Sequence, residues 1–265
     1  MLTEISQVAS KRQREILRRA YLQESLKVRD LAQEYKVHEM TIRRDFDELC
    51  RLGHLERTHG GARLNERSGE EISHQLRATR HRPEKDLIAR LAVDLIQPGE
   101  TVALDASTTS LSLARIIGLK GVRVITSSLE VANVLAGAGA TFILTGGEYN
   151  PGTRSFVGGF VQDAIHRLHP DKVFFSSKAC SIDAGFTDSA LPEVEIKSAL
   201  IKSGASVIAL IDHSKFNRRA LATLASLSQV DTIVTDRRLS EEMNAAFADA
   251  QVTVLIPEVE TDPKH

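Results

Sequence analysis

Apolar positions in the first sixty residues recur at helical spacing. Ile16, Leu17, Ala20 and Tyr21 form one stripe, Val28, Leu31, Ala32 and Tyr35 a second, and Ile42, Phe46 and Leu49 a third at i, i+4 and i+7. Lys36-Val37-His38 is a tight connection between the second and third stripes, and Gly53 stands where a helix C-terminal glycine belongs. Beyond it, Leu55–Thr58 and Ala62–Leu64 flank His59-Gly60-Gly61, which predicts two short strands around a glycine turn. Three short helices followed by such a hairpin predict a winged helix-turn-helix over residues 8–64.

The pattern changes near residue 83. Short apolar, β-rich runs appear at Thr101–Leu104, Arg123–Thr126, Thr141–Leu144, Lys172–Ser176, Ser206–Ile211, Asp231–Thr235 and Val252–Ile256. Helical stretches separate most of them: Leu87–Ile96, Ser110–Ile117, Leu129–Ala136, Phe160–Leu168, Glu195–Ser203 and Glu241–Ala248. Nearly continuous apolar strands alternating with helices predict a mostly parallel, Rossmann-like α/β body over residues 83–258, with both sheet faces covered. The polar run that starts at Leu64-Asn65-Glu66-Arg67 opens a linker, residues 65–82, and Pro83 belongs to a first helical turn.

Composition adds limits. Of 265 residues, 42% are hydrophobic and 26% charged, which is ordinary for a globular chain with a real core. No apolar run approaches the ~18 residues of a membrane span, and no apolar leader is visible at the N-terminus. The two cysteines, Cys50 and Cys180, stand far apart, which argues against a disulfide scaffold or a structural zinc site and fits a reducing cytoplasm. The nine histidines show no metal spacing, so neither metal nor cofactor is expected. Net charge is −1 overall. The first 82 residues carry 17 Lys/Arg against 13 Asp/Glu, and the remainder 17 against 22. A basic head on an acidic body points to a polyanion partner for the head.

The third helix carries the chemistry such a partner needs. Its N-terminal residues suit the major groove of B-DNA, with His38, Glu39 and Thr41 at the start and Arg43 and Arg44 as planar forks for guanine or phosphate. His59, Gly60, Gly61 and Arg63 place a wing on an adjacent groove or backbone. The alternative is a solvated face in which Arg43 and Arg44 pair with Asp47 and Glu48 one turn on.

In open parallel sheets, ligands bind beyond the carboxyl ends of the strands. Those ends are polar here. Asp105, Ser107, Thr108 and Thr109 follow the first strand, Ser127 and Ser128 the second, and Gly146, Gly147 and Glu148 the third. Lys178 follows the fourth, Lys215 the fifth, and Lys197 lies on the helix after Glu193. Hydroxyls and unpaired N–H groups at helix starts suit phosphate. Taken singly, each is an ordinary cap, turn or solvated lysine. Together they point to a shared anion pocket.

The stretch Thr41-Ile42-Arg43-Arg44-Asp45 with His59-Gly60-Gly61-Ala62 downstream resembles the DeoR family of bacterial transcriptional regulators. His38 stands where that family usually has Ser. The resemblance covers nearly the whole chain. Asp105–Thr109 matches the family's Asp-x-Gly-Thr-Thr phosphate loop with Ser107 in the Gly position. Thr126-Ser127-Ser128 matches its Thr-Asn-Ser segment, Gly146-Gly147-Glu148 and Asp212-His213-Ser214-Lys215-Phe216 match well, and Lys197 matches its helix lysine. Ser176-Ser177-Lys178-Ala179-Cys180 departs from the usual Gly-rich loop. The resemblance implies a body similar in fold to ribose-5-phosphate isomerase and glucosamine-6-phosphate deaminase relatives, and a phosphorylated sugar as effector.

Three functions compete. The first is a cytoplasmic DNA-binding regulator, a homodimer or homotetramer at the bacterial nucleoid, whose grip on its operator is relieved by a phosphorylated sugar. The second is an active isomerase or deaminase, with Asp105, Asp183, Glu148 or Glu193 as base and Lys178 or Lys197 as electrophile. The third, a plain interaction protein, leaves the polar strand ends unexplained. The regulator, without catalysis, is the expected one.

Overall fold

The computed structural model describes residues 10–23, 25–65, 74–118 and 120–258. The chain divides into two compact units, one ending at Arg80 and one starting at His81.

The first unit runs α1 (Lys11–Leu22), β1 (Leu26–Lys27), α2 (Val28–Tyr35), α3 (Glu39–Arg51), β2 (Leu55–Thr58), β3 (Gly61–Leu64) and α4 (His74–Thr79). Ser10 starts α1 by accepting the Gln13 N–H at 3.1 Å. Lys36 ends α2 in the left-handed region, φ 53°, which turns the chain sharply into α3. The three apolar stripes meet as expected: Ile16, Leu17, Ala20, Leu31, Ile42, Phe46 and Leu49 are buried together.

Three features of this unit were not foreseen. Leu26 and Lys27 add a strand beside the wing, pairing with Ala62 and Gly61 in a sheet of order β1-β3-β2. Asp45, a charged residue of the third helix, points inward and is buried. It accepts from Arg12 Nε at 2.5 Å and Nη2 at 3.3 Å, which ties α1 to α3. The stretch expected as linker contains α4, which packs on α1, while residues 66–73 lie outside the described residues.

The second unit contains α5 (Arg82–Val93), β4 (Thr101–Leu104), α6 (Thr108–Ile117), β5 (Arg123–Thr126), α7 (Leu129–Gly137), β6 (Thr141–Leu144), β7 (Glu148–Asn150), β8 (Ser155–Val157) and α8 (Gly159–His166). It continues with β9 (Lys172–Phe175), β10 (Ala179–Ser181), β11 (Gly185–Asp188), α9 (Leu191–Ser203), β12 (Ser206–Leu210), β13 (Ala222–Ala225), β14 (Thr232–Val234), α10 (Glu241–Asp249) and β15 (Thr253–Leu255).

All seven predicted apolar runs form one parallel sheet, in the order β15-β14-β12-β9-β4-β5-β6. Successive side chains go to opposite faces. Val102 and Leu104 pack under α5, α6 and α7, whereas Ala103 packs with Val161 and Ile165 of α8 and Ile196 and Leu200 of α9. On the same side as α8 and α9, Met243 and Phe247 of α10 cover Ala209 and Ile233. The body is therefore a three-layer α/β unit.

From β4 the chain steps outward through β5 to β6, then returns to β9 and steps outward the other way. Strand order reverses between β4 and β9, and a crevice opens at the carboxyl ends of such a pair. Two smaller elements lie outside this pattern: the β7-β8 hairpin and an antiparallel sheet of order β10-β11-β13.

Candidate functional site

At the start of α3, His38 caps the helix itself: its Nδ1 accepts the Met40 N–H at 3.2 Å. The imidazole thus does the work of a serine hydroxyl. Arg43 Nη2 donates to Glu39 Oε2 at 3.1 Å. Asp47 instead takes Arg57, at 2.6 and 3.1 Å, and Glu48 takes Arg51, at 2.6 and 3.0 Å. Arg44 is exposed and forms no ion pair among the described residues. The pairing of Arg43 and Arg44 with Asp47 and Glu48 is therefore not what α3 presents. One fork is held by a neighbour and the next extends into solvent.

Arg57, which the sequence did not single out, joins the wing to this helix. From β2 its guanidinium reaches Asp47, donates to the Arg43 carbonyl at 3.3 Å, and lies 5.6 Å from the Phe46 ring centroid. In the wing, His59 and Gly60 are exposed at the turn, and Arg63 donates across to Glu56 at 3.0 Å. The glycines have structural duties. Gly60 has φ +77°, and a Cβ on Gly61 would stand 2.0 Å from the Leu26 carbonyl oxygen.

In the body, Asp105 at the end of β4 is fully buried. It accepts from the Ser107 N–H at 3.2 Å, the Ser110 hydroxyl at 2.5 Å and, across the switch point, the Ser176 N–H at 3.0 Å. These bonds from protein donors use its oxygens to hold the loop in shape. Ser107 caps α6 by accepting the Ser110 N–H at 3.0 Å. Thr108 and Thr109 then form the first turn, where backbone N–H groups lack intrahelical partners and the helix dipole favours an anion.

The neighbouring strand ends continue this polar rim. Ser128 caps α7, and the hydroxyls of Ser127 and Thr145 are buried with no hydrogen-bond partner among the described residues. Gly146 and Gly147 have φ +71° and +109°, and a Cβ on Gly147 would meet the Val157 carbonyl oxygen at 2.8 Å. Glu148 is exposed and heads the β7 strand of the hairpin. Lys178 lies in the link from β9 to β10, and Lys215 in the helical turn His213–Lys215 after β12.

Behind the loop sits a buried ionic cluster. Lys197 Nζ donates to Asp188 Oδ2 at 2.8 Å and to the Ser176 carbonyl at 2.9 Å, and stands 3.4 Å from Asp105 Oδ2. Burial works against the ammonium, but Asp188, Asp105 and Glu193 outweigh it and hold the pKa above the ordinary lysine value. Burial pushes Glu193 up, opposed by Lys197 and by hydrogen bonds from Ser155 and Thr153. At Asp212, burial raises the pKa, but Lys215, Ser214, Lys85 and His81 together bring it below the usual carboxylate range. Burial pushes the Cys180 thiol up to about 12, which leaves it a packing residue. Among the described residues no group of three or more His, Cys, Asp and Glu is placed to hold a metal ion, and no helix is long and apolar enough to cross a membrane.

A winged helix-turn-helix with an outstretched arginine, followed by an α/β unit with polar strand ends, defines a DNA-binding regulator with a sensing domain. Residues 12–68 match the DeoR-like helix-turn-helix domain, and residues 80–237 match the DeoR C terminal sensor domain. The chain belongs to the DeoR family of transcriptional regulators. It is 31% identical over 249 residues to the HTH-type transcriptional regulator GolR of Listeria innocua, covering 93% of this chain and 98% of that one. It is 33% identical over 216 residues to the lactose phosphotransferase system repressor of Staphylococcus epidermidis, covering 80% and 86%. Among solved structures, ribose 5-phosphate isomerase A of Methanocaldococcus jannaschii aligns with 51% of this chain and 55% of its own, at 14% identity and a TM-score of 0.40.

Proposed function

We propose that this regulator is a repressor of a carbohydrate catabolism operon, released from its operator by a phosphorylated sugar or sugar-derived metabolite. In this scheme residues 8–64 read DNA, residues 65–82 connect, and residues 83–258 sense the effector. Arg44 makes the base or phosphate contact, with His38, Glu39, Thr41, Arg43 and the wing residues His59, Gly60, Gly61 and Arg63 around it. The effector phosphate sits on the first turn of α6, against Ser107, Thr108 and Thr109, with Ser127, Ser128, Gly146 and Gly147 beside it. Lys178 and Lys215 line the other half of the crevice.

The observation that carries this reading is the α6 N-terminus at the strand-order reversal, preset by Asp105 and flanked on the next strand by the unpartnered Ser127 hydroxyl. The engagement of Lys197 with Asp188 and the Ser176 carbonyl supports sensing without turnover, since a carbonyl-polarising lysine would have to leave both. The name of the lactose system repressor, which matches over most of its length, supports the carbohydrate assignment. The working form is a homodimer or homotetramer in the bacterial cytoplasm, with paired heads on paired half-sites.

The test is fluorescence anisotropy of the full-length protein on its own promoter region, with ribose 5-phosphate, glucose 6-phosphate, galactose 6-phosphate and fructose 1,6-bisphosphate added in turn. One of these should lower DNA affinity, and Thr108→Ala with Thr109→Ala should abolish that response while leaving DNA binding intact. A response that survives the double substitution at normal concentration removes the phosphate from α6.

A further inference from the structure

His81, the first residue of the second unit, precedes α5 with a left-handed φ of 52° and makes no side-chain capping bond to the helix. A non-glycine residue keeps such a backbone only where its surroundings hold it. Here they do. The His81 ring meets the His213 ring edge-on, with centroids 5.4 Å apart and planes at 85°. His213 is fixed in turn by Asp236, just beyond β14: its N–H donates to Oδ1 at 2.6 Å, and its Nδ1 lies 2.7 Å from Oδ2.

A second contact runs in parallel. Lys85, on the first turn of α5, is buried, and with His81 and Lys215 it favours the Asp212 carboxylate. Asp212 caps the turn His213–Lys215 by accepting the Ser214 N–H at 3.0 Å. The start of α5 is therefore held by the ends of β12 and β14, and the chain reaches α5 directly from the DNA-reading unit.

We infer that the His81–His213–Asp236 contact is the joint through which ligand capture is transmitted toward the head. Lys215 and His213 share one three-residue turn, so an anion drawn onto Lys215 moves the ring against which His81 is braced. The α5 first turn, at which the second unit begins, then shifts. His81 and His213 act as positioning residues and touch neither DNA nor ligand. This rests on Lys215 as a ligand contact in the proposed function. A ligand shifts such an equilibrium only through its different affinity for the two arrangements, so breaking the contact should uncouple the head without removing the ligand's own contacts.

Two full-length variants test it. His213→Phe keeps a ring and removes the single bond of the imidazole to Asp236, and His81→Asn keeps a residue that tolerates the left-handed backbone and removes the ring. With the four sugar phosphates named above, both variants should bind promoter DNA as the wild type does when no sugar is added. They should bind the active sugar phosphate with wild-type affinity by calorimetry. The drop in DNA affinity that it causes, about 5–150-fold for ordinary allosteric coupling, should shrink to under about 2-fold. Full release in both variants overturns the joint, as does a loss of sugar-phosphate binding that accounts for the lost release. A wild type that answers to none of the four defeats the proposed function instead. The joint is then read without ligand, by hydrogen exchange of residues 82–88: faster exchange in His213→Phe than in wild type supports it, and unchanged exchange overturns it.

Discussion

Lys197 and Asp188 form an ion pair sealed inside the body, with Nζ and Oδ2 2.8 Å apart and only 7% and 14% of the two side chains exposed. The lysine comes from α9 and the aspartate from the end of β11, while Asp105 at the end of β4 and the Ser176 carbonyl after β9 complete the ring. One cation thus holds together the elements that frame the switch point.

Lys197→Met leaves buried carboxylates without their counter-charge, at a cost of about 3–5 kcal/mol, or a fall of roughly 10 °C in Tm for a unit of this size. Because the folded pKa is raised, the lysine's stabilisation is fully present below the ordinary lysine value and fades only as pH rises past the folded one. Thermal melts at pH 7 should therefore show the whole loss. A melt within two or three degrees of wild type means that the carboxylates find protons or water instead.

Glu193 has the opposite consequence near neutrality. Its raised folded pKa means that the stability associated with its protonated form is present below the ordinary glutamate value and is lost as pH climbs through the folded one. Glu193→Gln can still accept the Ser155 hydroxyl and never ionises. The Tm of the variant minus that of wild type should increase between pH 5 and pH 8. A constant or falling difference contradicts the assigned shift.

Arg44 and Arg43 should separate in a DNA-binding assay. Removing Arg44 costs a base or phosphate contact, about 1–3 kcal/mol, with no change in body melting or sugar-phosphate binding. Arg43→Ala should cost less, because its fork is already shared with Glu39. Anisotropy on the promoter region measures both, and equal losses would show that DNA draws Arg43 away from Glu39.

The two wing glycines should also behave differently. Gly61→Ala drives a methyl into the Leu26 carbonyl and should undock β1 from β3, destabilising the head by about 1–3 kcal/mol. Gly60→Asn has open space and a residue that accepts positive φ, so the head should melt close to wild type. Tryptic cleavage rates in the head, compared across the two variants, check the order.

The seven parallel strands were legible because each is a run of mostly apolar residues, and the inner ones are buried on both faces, as at Val102–Leu104 and Val207–Leu210. The β7-β8 hairpin and the β10-β11-β13 sheet were not. Their strands are three or four residues long, and β7 opens on the exposed pair Glu148-Tyr149. Polar groups whose partners are remote in sequence were equally hidden. Asp45 reads as one more charge on an outward face until Arg12 reaches it from 33 positions earlier, and nothing near Asp105 in the sequence shows that Ser176 donates to its second oxygen. The candidate residues could be found by position after a strand. Which of them are taken up in bracing the loop depends on tertiary hydrogen bonds that spacing does not encode.

Arg57 gives the head a mechanical character. It links α3 to the hairpin through Asp47, the Arg43 carbonyl and the Phe46 ring, which favours one common spacing of the two elements. On the proposed reading of DNA by both, a groove that does not fit that spacing costs deformation of the duplex, and operators would differ partly by how easily they twist and narrow at base pairs that no side chain touches.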